Sequence, residues 1–227
     1  MPQSRDSARR MLILDFDGVL VDSEPIHFES WNQAFDDLFG VRVQGDYRQL
    51  VGLTQQEIYD LWAKSNPVKV IELSKEDKAR LLARKTELFF ALGMNRLTPM
   101  PGSIELVRKA HAKGWYTAIV SRAKRLRLHR TLHLIHMPAL FDVVLGIEDA
   151  VDPRTNRKIH ARAAAMFGID PANCMVVEDS ESGVAAAIDC GIGRVIGFAH
   201  AIERAALEAA GAHEIVAHLS EIHLPDE

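Results

Sequence analysis

The sequence predicts an α/β protein: a doubly wound parallel sheet with helices on both faces, and a helical subdomain inserted after the first strand. Three observations predict it. Short, continuous apolar runs recur along the chain. Helical patterns that stop at glycine separate most of them. About a hundred residues between the first run and the second hold amphipathic helices and no clear strand.

Residues 1–10 are polar, without apolar periodicity, and read as a loose terminus. The apolar runs are 11–15 (MLILD), 116–121 (YTAIVS), 141–146 (FDVVLG), 174–179 (CMVVED) and 194–198 (RVIGF). Runs this short and rich in Val, Ile and Leu suit strands buried on both faces. In the insertion, Pro25 opens a helix with Trp31, Ala34, Phe35 and Leu38 on one face. A second helix runs from Thr54 to Lys64 around Ile58, Leu61 and Trp62, and a third from about Ser74 to Leu92. Gly40, Gly45, Gly52 and Asn66-Pro67 punctuate them. Residues 103–113 follow Pro101-Gly102, carry Ile104, Val107 and Ala110 at helical spacing, and stop at Gly114; the Ala-rich stretches 157–167 and 181–190 stop at Gly168 and Gly191. Strands alternating with helices imply parallel strands joined by right-handed crossovers.

Composition narrows the function. A chain of 227 residues, 48% hydrophobic and 26% charged, is one domain with a modest inserted piece, and too apolar to be disordered. With 27 basic and 31 acidic side chains, the net charge of −4 offers no general attraction to phosphate backbones or anionic lipid. Two cysteines, Cys174 and Cys190, cannot staple a fold of this size, lack a C-x-x-C spacing, and read as buried thiols in a reducing compartment. Arg9-Arg10 precede only four apolar residues before Asp15, too few for a signal-peptide core or a membrane span. The expectation is a soluble, cytoplasmic protein.

Open parallel sheets bind ligands beyond the carboxyl ends of their strands. The predicted strand exits deliver Asp15 and Asp17, then Ser121, then Glu178 and Asp179 to one edge. Four carboxylates there repel one another unless a positive charge sits among them, and a hard divalent cation such as Mg²⁺, which favours oxygen ligands, meets the need. Two carboxylates two residues apart also suit covalent phosphoryl transfer: one attacks phosphorus, the other protonates the leaving oxygen and then activates water. A serine hydroxyl and a basic side chain would hold the transferring oxygens. Each piece alone has a plainer reading as a turn or helix-cap residue, and the coincidence at three strand exits carries the weight. An EF-hand fails, because Gly18 falls at the fourth loop position and no Glu follows at the twelfth; the 191–197 run G-I-G-R-V-I-G has the wrong glycine spacing for a dinucleotide fingerprint.

The segment D15-F-D-G-V-L-V-D-S-E24 resembles the first signature of the haloacid dehalogenase superfamily, in its phosphatase and phosphomutase branch. V-S121 resembles the second signature, and V-V-E-D179-S-E-S-G-V-A-A-A187 the fourth; G52-L-T-Q-Q-E-I58 and P99-M-P-G102 are also typical. The resemblance implies a Rossmann-like core over 11–24 and 98–227 and a helical cap over 25–97 that closes to exclude water. It implies that Asp15 is the nucleophile and a Mg²⁺ ligand. Asp17 would be the general acid/base, giving the metal its backbone carbonyl; Asp179 would be the remaining protein ligand, with Glu178 beside it. Ser121 and the backbone of Arg122 would bind phosphoryl oxygens. An acidic residue at position 17 marks phosphoryl transfer and makes dehalogenation improbable.

The third signature departs from the family's Lys-Pro-x-Pro-Asp run. Here the stretch is D152-P-R-T-N-R-K-I-H160, and ungapped counting puts the lysine position on Arg154, while the nearest lysine is Lys158. Residue type favours Lys158 as the catalytic cation, with Arg154 the alternative in contact with phosphate.

His27 lies where the sugar-phosphomutase branch also carries a histidine and is either a substrate contact or a polar helix residue. The two cations with which that branch grips a second phosphate are missing from Val51-Gly52-Leu53-Thr54-Gln55. A phosphatase acting on a small phosphorylated metabolite is therefore favoured over a phosphomutase, and over a catalytically inactive binding module. The chain is expected to work as a monomer or weak homodimer, without nucleic-acid or membrane partners. The basic run R122-A-K-R-L-R-L-H-R130 reads as a solvated helix face over Leu128, Leu132 and Ile135, with some steering of anions. His129, His133 and His136 lack a nearby carboxylate and read as surface or packing residues.

Overall fold

The computed structural model describes residues 9–50, 53–65, 71–137, 139–150 and 158–225. In chain order the elements are β1 (Met11–Leu14), α1 (Glu24–Phe39), α2 (Gln55–Lys64), α3 (Lys75–Gly93), α4 (Ser103–Ala112), β2 (Tyr116–Val120), α5 (Arg125–Leu134), β3 (Val143–Leu145), α6 (Ile159–Ala165), β4 (Cys174–Glu178), α7 (Glu181–Asp189), β5 (Arg194–Phe198), α8 (Arg204–Ala209) and β6 (Glu214–Val216). The chain divides into two compact units, Met1–Asp22 with Thr98–Glu227, and Ser23–Leu97.

The first unit is the expected doubly wound α/β core. Its six strands pair in the order β3-β2-β1-β4-β5-β6, every pair parallel. β1 lies between β2 and β4, with Leu14 opposite both Ile119 and Val177. The winding direction reverses around it, and such a switch point is where these sheets bind ligands. All four β1 residues and all five of β4 are buried, which is why both read as unbroken apolar runs. Met11, Ile13, Val120, Val176 and Val195 pack with Ile159, Ala163, Val184 and Leu207 from the covering helices.

β6 and α8 lie outside the sequence expectation. The β6 triplet Glu214-Ile215-Val216 is too short to register as an apolar run, and it is held by pairing with β5. β3 spans only 143–145; just before it the Asp142 N–H donates to the Thr117 carbonyl at 3.0 Å, and its side chain accepts from the Thr117 N–H at 2.7 Å. Among the described residues, no helix is long and apolar enough to cross a membrane.

The second unit is built on α1, α2 and α3. Two of their starts are locally capped: Thr54 and Glu57 form a capping box at α2, and Ser74 and Asp77 another at α3. Gly40, at φ +65°, closes α1 with its N–H on the Asp36 carbonyl. Trp31, Phe35, Trp62 and Leu81 form the core. Asn32 is buried there but satisfied: its carbonyl oxygen accepts from the Val43 N–H and the Trp62 indole, and its amide donates to the Val43 carbonyl.

Candidate active site

The site starts with the turn after β1. The Asp15 N–H donates to the Val177 carbonyl, so the sheet ladder holds Asp15 although the strand has ended. The chain then doubles back: Leu20 and Val21 donate to the Phe16 carbonyl, and Gly18 donates to the Val21 carbonyl. Phe16, Val19, Leu20 and Val21 are fully buried beneath this turn, which leaves Asp15 and Asp17 partly open to solvent. Gly18 has φ +77°, and a Cβ there would lie 2.0 Å from an Asp179 carboxylate oxygen. The turn therefore needs glycine twice, for its conformation and for its approach to Asp179.

At the end of β4, Glu178 and Asp179 are both buried. One ligand oxygen from each of Asp15, Glu178 and Asp179 lies within 4.8 Å of the others. Behind Glu178 runs α7, where a Cβ on Gly183 would stand 1.9 Å from the Glu178 Oε2. His160, wholly buried on α6, brings its Nε2 to 3.3 Å from the Glu178 Oε1. Ser180 caps α7 by accepting from the Gly183 N–H, so here the cap and carboxylate readings hold side by side.

Arg122 opposes the build-up of negative charge at Asp15 and Glu178, but burial outweighs it. Burial, then the charges of Glu178 and Asp17, push the Asp15 carboxyl well above the ordinary carboxylate range, against the opposing Phe16 N–H and Arg122. Burial pushes Glu178 up to about 8, with Arg122 again opposing. Hard oxygen donors that converge in this way fit a divalent cation such as Mg²⁺.

Asp17 has a different environment. Its carboxylate accepts two hydrogen bonds from the Arg127 guanidinium, one at 2.9 Å from Nη1 to Oδ1 and a second from Nη2 to Oδ2. Both side chains are only 18% exposed, and the guanidinium also lies over the Phe16 ring. Arg127 corrects the reading of 122–130 as a uniformly solvated face. Leu128 and Leu132 do bury one side of α5, but Arg127 turns back to the sheet edge.

Ser121 extends β2, donating its N–H to the Leu145 carbonyl; its side chain is buried, and its Oγ accepts from the Ala123 N–H. Arg122 is exposed and acts on Asp15 and Glu178 through its charge. Lys158 sits at the start of α6, exposed, with φ +70°. Arg154 lies outside the described residues. His27 belongs to the helical unit, where its ring stacks on Phe89 at 4.4 Å and its Nδ1 lies 2.5 Å from the Lys85 Nζ. The sheet edge thus assembles Asp15, Asp17, Ser121, Arg122, Glu178 and Asp179. It adds Arg127 and His160, which no motif spacing announced.

The expected pair of buried thiols holds for Cys174, which burial pushes up to about 12. Cys190 is only half-buried. Burial would raise its pKa, but the neighbouring His160 ring and the backbone N–H of Ala161 outweigh that effect and lower it.

The chain is similar to known proteins. The family model described as haloacid dehalogenase-like hydrolase matches residues 10–191. The chain is 25% identical to the "Phosphorylated carbohydrates phosphatase" of Thermotoga maritima over 200 residues, 87% of this chain and 90% of that one. It is 27% identical to "Hexitol phosphatase B" of Escherichia coli over 180 residues, 77% of each. A crystal structure of a predicted phosphoglycolate phosphatase from Haemophilus somnus superposes with a TM-score of 0.80 at 19% identity, covering 95% of this chain and 97% of that one, a likeness of fold. The match to the family model over most of the chain, on a doubly wound sheet whose central edge gathers these carboxylates, means that the chain belongs to the haloacid dehalogenase-like hydrolase family.

Proposed function

We propose that the chain is a Mg²⁺-dependent phosphatase that hydrolyses a small phosphorylated carbohydrate, a sugar or sugar-alcohol monophosphate, through an aspartyl-phosphate. The observation that carries this reading is the arrangement at the sheet edge: three carboxylates converge within 4.8 Å of one another, and a fourth, two residues from Asp15, is paired with Arg127. The printed names of the Thermotoga maritima and Escherichia coli relatives supply the carbohydrate class.

Asp15, Glu178 and Asp179 would hold the cation, which supplies charge neutralisation for the phosphoryl oxygens. An Asp15 carboxylate oxygen attacks phosphorus in line as the bond to the leaving oxygen breaks. Asp17, entering the step protonated, gives that oxygen its proton and leaves as the carboxylate that pairs with Arg127. It then takes a proton from water, which attacks the aspartyl-phosphate and releases inorganic phosphate, regenerating Asp15. The Ser121 hydroxyl donates to a phosphoryl oxygen, and Arg122 adds positive charge from the neighbouring position. The third-signature cation, Lys158 or Arg154, completes the neutralisation.

The experiment is phosphate release from a panel of sugar and sugar-alcohol phosphates and an aryl phosphate, with Mg²⁺, with chelator, and with Asp15→Asn. Release that needs Mg²⁺ and vanishes in the variant supports the reading, and the best panel member names the substrate. Chelator-insensitive release, or a fully active Asp15→Asn, overturns it.

A further inference from the structure

A local rule is broken at the start of α5. A helix N-terminus carries partial positive charge and favours acidic side chains, yet this one begins Lys124, Arg125, Leu126, Arg127, with no acidic residue in its first turn and no side-chain cap. Rules broken locally mark places where something elsewhere compensates. Two compensations are adjacent: the Arg125 N–H donates to Glu148, and its guanidinium donates to the buried Asp149. The third is remote. Arg127 meets Asp17, 110 positions earlier in the chain, with two hydrogen bonds in a partly desolvated setting. A forked guanidinium on a carboxylate fixes both its place and the plane of its oxygens.

The support behind Arg127 is stiff. The Ala123 carbonyl accepts from Ile147, and a Cβ on Gly146 would lie 2.6 Å from that carbonyl and 2.7 Å from the Arg125 nitrogen, so the loops after β2 and β3 are closely packed. Leu128 and Leu132 anchor α5 beyond.

We propose that Arg127 is a positioning residue of the reaction: it holds the Asp17 carboxylate in the place and orientation from which Asp17 serves the leaving oxygen. The proposal rests on the acid/base reading of Asp17 above. A misplacement of about an ångström at such a group costs up to about a hundredfold. The cost must follow the leaving group, because 4-nitrophenolate departs with little help from an acid and a sugar alkoxide needs it.

The test is kcat/KM for a sugar phosphate and for 4-nitrophenyl phosphate, in the wild type, Arg127→Ala, Arg127→Lys, Asp17→Asn and the double variant Asp17→Asn/Arg127→Ala. Thermal melts would establish that each is folded. Arg127→Ala is expected to lose about 10- to 100-fold on the sugar phosphate and several-fold less on the aryl ester. Arg127→Lys should recover part of the loss, and the double variant should be no worse than Asp17→Asn. Equal losses on both substrates, or losses that multiply in the double variant, would overturn the positioning role while leaving Asp17 as the acid/base. Full activity in Asp17→Asn would remove the acid/base reading, and the positioning role with it.

Discussion

Asp15 and Asp17 stand two residues apart on one turn and meet opposite electrostatics. Asp15 faces Glu178 and Asp179, and its carboxyl is driven upward by burial and by its neighbours' negative charge. Asp17 faces Arg127, which gives it two hydrogen bonds and a full opposite charge. A single buried turn over Phe16 separates the two environments. The difference teaches that one turn can present two kinds of carboxylate: one paired with a guanidinium, and one that converges with two others as hard oxygen donors of the kind a divalent cation takes.

The most severe way to break this comparison is to remove the nucleophile. Asp15→Asn is expected to lower turnover on the best panel substrate by about four orders of magnitude or more, with the melting curve of the chain retained. Asp17→Asn should cost about 10²- to 10⁴-fold in kcat/KM, and less on an aryl phosphate than on a sugar phosphate. A glycine substitution behind Glu178 sharpens the comparison, because it moves one cluster and not the other. Gly183→Ala places a methyl group against Glu178 and should weaken Mg²⁺ binding about 10- to 100-fold in a calorimetric titration, with the Asp17–Arg127 pair intact. Gly18→Ala also forces a side chain to φ +77°, and should cost about 1–3 kcal/mol in denaturant unfolding besides disturbing Asp179.

The smallest expected effect is on stability against pH. Glu178 is raised in the folded chain to about 8, above its unfolded value of ~4.3. Such a group adds stability that is fully present below the unfolded value and is lost as pH rises through the folded one. The metal-free chain should therefore melt several degrees lower at pH 8.5 than at pH 5.5. Saturating Mg²⁺ should flatten that slope, since it favours the ionised carboxyl, and so should Glu178→Gln. A chelated wild type with no slope would show that Glu178 is not the raised acid described here.

The sheet was legible because strands buried on both faces leave unbroken apolar runs, as in Met11–Leu14 and Cys174–Glu178. Its far edge was not: β6 has three residues, one of them Glu214, and depends on β5 for its existence. In the site, Asp15, Asp17, Ser121, Glu178 and Asp179 were legible because strand exits place them without any knowledge of packing. Arg127 and His160 were not, because each reaches its carboxylate across the fold, 110 and 18 positions away. The signal for Arg127 was present in its setting, a cation in the first turn of a helix whose first turn holds no acidic residue. Gly183 could have been noticed only by knowing what stands opposite it.

The measurement that tests the central claim most directly is a calorimetric titration of the chain with Mg²⁺ at pH 7 in buffers of different ionisation enthalpy, repeated for Asp179→Asn and Glu178→Gln. Binding should release protons, because the raised carboxyls must ionise to hold the cation. The release should shrink in Glu178→Gln, and affinity should collapse in Asp179→Asn. No binding, or binding that releases no protons and ignores both substitutions, would contradict the assignment of this cluster as the metal site.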